Sequence, residues 1–212
     1  MISAFGATEF PTTLGINPID CASKLATYVQ ANNLDGVDID WEDSHAMEAG
    51  TGEEWLVAFS IKLRELLPNH VISHAPQAPY FSSSHYKNGG YLAVHQRVGH
   101  LIDFYNIQFY NQGDTTYDTY QRLFIESGGY FPGTSVKEIA QKGLPLNKII
   151  VGKPVNPNDA TNTGWMDHSL LGQAVKRAFE EGRWKGGVML WQYSSDSNGS
   201  AIAKIAGCLN GS

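Results

Sequence analysis

From one end to the other, the chain alternates short apolar runs with helix-length amphipathic segments. Runs at residues 1–5, 34–41, 70–75, 102–110, 148–152 and 187–191 read as strands. Segments 18–33, 53–67, 91–99, 117–127, 135–142, 169–181 and 201–209 read as helices. In 18–33, Ile19, Ala22, Leu25, Ala26 and Val29 are spaced for one helix face; in 53–67, Trp55, Leu56, Phe59, Leu63, Leu66 and Leu67 are. Pro68 and Asn69 then stop the second helix. A strand that returns through a helix to its neighbour runs parallel to it. Six such β-α units predict an α/β fold with a parallel sheet, either doubly wound or of the (β/α)8 type. A doubly wound nucleotide-binding sheet follows its first strand with a glycine-rich phosphate turn. Here Gly6 stands alone, and no G-x-G-x-x-G or phosphate-loop motif occurs.

Composition narrows the function classes. Hydrophobic residues make up 42% of the 212, enough for a sizeable core. Charged residues are 17%, below the roughly 25% of an ordinary soluble domain. Fifteen basic against 21 acidic residues argue against a nucleic-acid or anionic-membrane surface. No run approaches the roughly 18 apolar residues of a membrane span. Cys21 and Cys208 lie in no C-x-x-C or Cys/His cluster, so a metal or redox site is not expected; the two are either paired with each other or free, the second being favoured. The opening Met1-Ile2-Ser3-Ala4-Phe5-Gly6 lacks a basic region and a long apolar stretch, so no signal peptide is expected in this chain. Asn-x-Ser acceptor motifs begin at Asn198 and Asn210. No linker or low-complexity tract interrupts the pattern, so one domain over 1–212 is expected.

The chemistry concentrates in Asp35-Gly36-Val37-Asp38-Ile39-Asp40-Trp41-Glu42. Side chains on a strand alternate faces, so Asp38, Asp40 and Glu42 share one face and Val37, Ile39 and Trp41 the other. Three carboxylates at steps of roughly 6–7 Å repel one another, so the cluster is expected to retain protons. Glu42 ends the strand at the mouth where active sites of parallel α/β folds gather, and is the candidate general acid. A hard-cation site and a solvent-exposed edge strand are the competing readings of the row. Other strands bring polar groups to the same end. Asn106, Gln108 and Tyr110 share one face of theirs, Ser73, Ala75 and Gln77 one face of another, and Trp191 closes the last. An indole there can stack on a sugar or simply pack in the core. Tyr80, Phe81, Tyr86 and Tyr91 either line a groove or cap the fold, the second being favoured.

These residues resemble glycoside hydrolase family 18, the chitinases and their relatives. The family's D-x-x-D-x-D-x-E signature is present as Asp35, Asp38, Asp40 and Glu42. Ser3-Ala4-Phe5-Gly6 is similar to the family's third-strand S-x-G-G region with one of the two glycines. Gln108 and Tyr110 match the sixth-strand polar positions, and Trp191 the tryptophan closing the eighth strand. The order and spacing resemble the small single-domain fungal and plant members. The resemblance implies a (β/α)8 TIM-barrel type, incomplete, with strands three to eight present and the first two β-α units lacking at the N-terminus. It implies hydrolysis of β-1,4-linked N-acetylglucosamine polymers, chitin or its oligosaccharides, by a retaining, substrate-assisted mechanism without a cofactor or metal. Glu42 would be the general acid and base. Asp40 would orient the substrate acetamide, Asp38 would share a proton with Asp40, and Tyr110 would hold the acetamide carbonyl. Trp191 would floor the sugar site, with Gln108, Gln77, Phe5, Gly6 and Asn111 as further substrate contacts. Asp35 falls out of phase with the row and is structural. An endo-β-N-acetylglucosaminidase acting on N-glycans and an inactive chitin-binding protein are the alternatives. The resemblance also implies an extracellular location, and a sheet with open edges predicts self-association through them. Neither nucleic acid nor membrane is an expected partner.

Overall fold

A computed structural model describes residues 1–82 and 84–210. The acceptor motif beginning at Asn210 runs into residues outside that range. Among the described residues a sheet of six strands runs in the sequential order β1-β2-β3-β4-β5-β6. The strands are β1 (Ile2–Phe5), β2 (Gly36–Asp40), β3 (Val71–His74), β4 (Phe104–Gln108), β5 (Ile149–Pro154) and β6 (Val188–Trp191). The chain divides into two compact units, Met1–Tyr105 and Asn106–Ser212.

In the first unit, β1, β2, β3 and the start of β4 pair in parallel. Their crossovers are α1 (Pro18–Ala31), then α2 (Ser44–Ala49) with α3 (Gly52–Leu66), then α4 (Gly90–Val98). Helix α1 begins at an Asn17 cap, whose side chain accepts from the Ile19 and Asp20 amides, and carries Pro18 in its first turn. Val37, Ile39, Ile72, Leu56, Phe59 and Leu63 are fully buried or nearly so, so the apolar faces of strand and helix meet as their periodicities require. Gly36 is the closest approach: a Cβ there would lie 2.2 Å from the Val71 carbonyl oxygen, so no side chain fits without parting β2 from β3.

In the second unit, β5 and β6 pair in parallel, with Pro154 opposite Trp191. Helix α5 (Val136–Gln141) precedes β5, α6 (His168–Glu180) links β5 to β6, and α7 (Ser200–Asn210) follows β6. Predicted helix 117–127 is corrected to a five-residue π-helical turn, Gln121–Ile125. Tyr117 sits at φ +49° and Gly128 and Gly129 at φ +63° and +66°, so the backbone at both ends leaves the right-handed helical region. Helix α2 went unseen in the sequence because six residues with one apolar turn give no period to read. Among the described residues no helix is long and apolar enough to cross a membrane. Cys21 and Cys208 are both free thiols.

Candidate active site

The parallel register assembles the acidic row's surroundings in the first unit. Ser3 of β1 lies opposite Asp38 of β2, and Asp38 opposite Ser73 of β3. All three side chains therefore emerge on one face in one line. The Ser3 hydroxyl donates to Asp38 Oδ2 at 3.0 Å and the Ser73 hydroxyl to Asp38 Oδ1 at 2.5 Å. Both oxygens of the innermost carboxyl group are thereby oriented by hydroxyl donors. At the outer end, the Gln77 amide donates to Glu42 Oε2 at 2.7 Å. Ser73 and Gln77 were in phase in the sequence, and both reach the row. Asp40, between them, is 8% exposed.

The opposite face anchors β2. Val37, Ile39 and Trp41 are fully buried. The Trp41 indole donates to Thr12 Oγ1 at 3.3 Å and meets Tyr80 edge to face. Asp43, just past the row, is fully buried. It takes the Thr13 hydroxyl at 2.5 Å and the Thr13 amide at 2.7 Å, and it caps α2 through the Ala46 amide. The loop after β1 is thus tied to the end of the acidic strand. Sequence reading passed over Asp43 and Thr13, since a pairing across thirty residues leaves no local pattern. β2 has neighbours on both sides, which overturns the edge-strand reading of the row. Among the described residues no group of three or more His, Cys, Asp or Glu side chains is placed to hold a metal ion.

Phe5 and Gly6 close β1 beside the row. Phe5 takes φ +76°, uncommon for a bulky residue, and its ring packs edge-on against Trp55 and Phe59. Gly6 sits at φ +115° and donates its amide to the Asp40 carbonyl at 2.8 Å. A Cβ on Gly6 would lie 3.8 Å from Asp40 Oδ2, ordinary contact, so backbone conformation rather than space calls for glycine there. Tyr80, Phe81, Tyr86 and Tyr91 are buried, as the capping reading expects. Burial first, then Tyr105, Tyr80, Asp38 and Asp40, push the Tyr91 phenol well above its ordinary pKa, so it keeps its proton. It lies 3.1 Å from Nδ1 of buried His74. Ser60 spends its hydroxyl proton on the Leu56 carbonyl at 2.6 Å and so accepts from His74 Nε2 at 3.4 Å. That leaves Nδ1 as acceptor from Tyr91, a neutral tautomer inferred from its partners. Burial holds His74 down at about 3.

The second unit carries the other sequence candidates. Gln108 ends β4 and is 6% exposed, and Tyr110, two residues on, is buried. Asn111 takes φ +62°; its Oδ1 accepts the Thr161 amide at 2.7 Å and its own amide donates to the Thr163 carbonyl. Asn111 thus shapes the loop after β4 with its oxygen already engaged. Trp191 ends β6 and is 41% exposed, too open for a pure core tryptophan and suited to stacking.

Residues 19–198 match the family description "Glycosyl hydrolases family 18". The chain is 29% identical over 178 residues to the acidic endochitinase SE2 of Beta vulgaris, covering 81% of this chain and 50% of that protein. It is 30% identical over 176 residues to the secreted chitinase LysM12 of Penicillium expansum, covering 71% of this chain and 12% of that protein. The chain therefore spans half the length of the first relative and a small part of the second. The crystal structure of a chitinase from Pseudoalteromonas aurantia superposes with TM-score 0.80 at 34% identity, covering 99% of this chain and 74% of that one. With the D-x-x-D-x-D-x-E strand inside the matched region, this chain belongs to glycosyl hydrolase family 18.

Proposed function

We propose that the chain hydrolyses β-1,4-linked N-acetylglucosamine chains with retention, using the substrate's own acetamide as nucleophile. The observation that carries this reading is the acidic row itself. Asp38 is held at both oxygens by Ser3 and Ser73, Asp40 follows, and Glu42 stands outermost with one oxygen fixed by Gln77. An outermost carboxyl oriented by an amide suits proton transfer to a glycosidic oxygen. The next carboxylate inward suits an acetamide N–H.

In the first step the acetamide oxygen attacks the anomeric carbon and the bond to the leaving oxygen breaks. Glu42 gives its proton to that oxygen, and Asp40 steadies the positive charge on the acetamide. In the second step water attacks the anomeric carbon, Glu42 takes the water's proton, and the acetamide is released. Tyr110, Gln108 and Trp191 serve the sugar by their family roles, as a phenol to the acetamide carbonyl, an amide contact and a stacking floor. Secretion, named for the Penicillium expansum relative, fits a polymer substrate found outside cells.

Release of a chromophore from a chitooligosaccharide tests the proposal. Glu42→Gln is expected to lower it by ~10²–10⁴-fold, the usual worth of a general acid, with oligosaccharide binding retained. Equal turnover in the variant sinks the mechanism. Binding of the wild-type chain to insoluble chitin with no product sinks the hydrolase reading in favour of a chitin-binding protein. Cleavage confined to an N-glycoprotein would redirect the substrate to N-glycans.

A further inference from the structure

Lys153, in β5, is fully buried. A buried ammonium is costly unless its donors are satisfied. Here Nζ donates to three backbone carbonyls, Phe109 at 2.9 Å, Tyr117 at 2.6 Å and Gly164 at 2.9 Å. Burial lowers its pKa to about 7, and the three acceptors favour the protonated form, in which every N–H is spent on a carbonyl and none on a carboxylate.

The three carbonyls belong to segments that frame Tyr110. Phe109 directly precedes it. Gly164, at φ +104°, passes so close that a Cβ would lie 2.4 Å from Tyr110 Cα. Between them, the Asn111 amide donates to the Thr163 carbonyl at 2.8 Å, Asn111 Oδ1 accepts from Thr161, and the Thr163 hydroxyl donates to the Gly113 carbonyl at 2.7 Å. Tyr117 closes the same loop at φ +49°, with its phenol 2.6 Å from Thr134 Oγ1. Past Phe109, whose amide still donates to the Gly152 carbonyl of β5, the loop after β4 is held by contacts from other segments. These are the 161–164 segment, the Tyr130 and Phe131 amides, which donate to Asp114 and Thr115, and the Lys153 amino group.

We propose that Lys153 is a positioning residue that sets the Tyr110 phenol by tying together the backbone on either side of it. This rests on the reading of Tyr110 as the group that holds the substrate acetamide. The charge is useful because a neutral side chain of the same length cannot offer three donors. Lys153 also projects from a strand, a firmer base for positioning than a loop.

Four chains test this: wild type, Lys153→Met, Tyr110→Phe and the double variant, with Lys153→Gln as the milder change should Lys153→Met not fold. If Lys153 acts through Tyr110, Lys153→Met lowers kcat by roughly 10–100-fold in the wild-type background and by under about 2-fold in the Tyr110→Phe background. The loss of urea stability is the same in both. A structural role alone gives equal fold-losses in kcat in both backgrounds and overturns the proposal. Amide hydrogen exchange reads the same geometry without turnover. Faster exchange confined to residues 109–117 and 161–164 supports the proposal, and unchanged or uniformly faster exchange overturns it. Should wild type show no turnover, or Tyr110→Phe match it, the reading of Tyr110 falls, and the claim that Lys153 orders the loop stands or falls on exchange.

Discussion

Acid should destabilise this protein through His74, and the size of the effect follows from its surroundings. Its ring is fully buried, accepts from Tyr91 at Nδ1 and donates to Ser60 at Nε2. Protonation would put a charge where no solvent reaches and would turn Nδ1 from acceptor to donor against a phenol that keeps its proton. The folded-state pKa is accordingly lowered from 6.5 to about 3. A lowered histidine pKa means that the unfolded chain takes up the proton first as pH falls. Stability is therefore full above about 6.5 and is lost progressively down to about 3. Integrated from pH 7 to 5, the loss is about 2 kcal/mol. For a urea slope of about 2 kcal/mol per molar, the midpoint drops by ~1 M. Carboxylates also titrate in this range, so the comparison needs His74→Gln, which keeps a donor and an acceptor but cannot take the proton. Urea unfolding of both proteins at pH 7 and pH 5 isolates the histidine as the difference between the two midpoint shifts. A wild-type shift within about 0.2 M of the variant's would refute the reasoning.

Two further perturbations address the acidic strand. Gly36→Ala places a methyl 2.2 Å from the Val71 carbonyl oxygen. Since backbone must yield, it should cost about 1–3 kcal/mol in urea or thermal unfolding, and an unchanged midpoint would show that β2 and β3 can part. Ser73→Ala removes the 2.5 Å hydrogen bond to Asp38. It should slow chitooligosaccharide turnover by about 3–10-fold, the usual worth of one hydrogen bond, with KM little changed, whereas Ser73→Thr should retain most activity.

The β-α alternation was legible because it is written locally. Strand parity and helix period are properties of neighbouring residues, and the buried faces of β2 and α3 emerged as their patterns required. The acidic row was legible for the same reason: Asp38, Asp40 and Glu42 lie two apart, and a strand can only put them on one side. The span from Tyr117 to Ser127 misled, because its apolar residues invite a helix while Tyr117 takes φ +49° and only Gln121–Ile125 coil, as a π-helical turn. Asn111 and Phe5 were read as substrate contacts from resemblance. Each carries a packing or loop-shaping task that no linear pattern announces.

Tertiary structure decided what the row is held by. Ser3 and Ser73 are ordinary serines until the parallel register sets one on each side of Asp38, and Asp43 is one more acid until Thr13 folds back onto it. Lys153 is the extreme case. In the sequence it is a lysine just past an apolar strand, a residue that ought to be at the surface. In the fold it is buried, with three carbonyls from distant segments converging on its Nζ, and burial pulls its pKa down to about 7. Linear order specifies which faces form. Which groups meet across them depends on register and loop closure, and these come from contacts many residues apart.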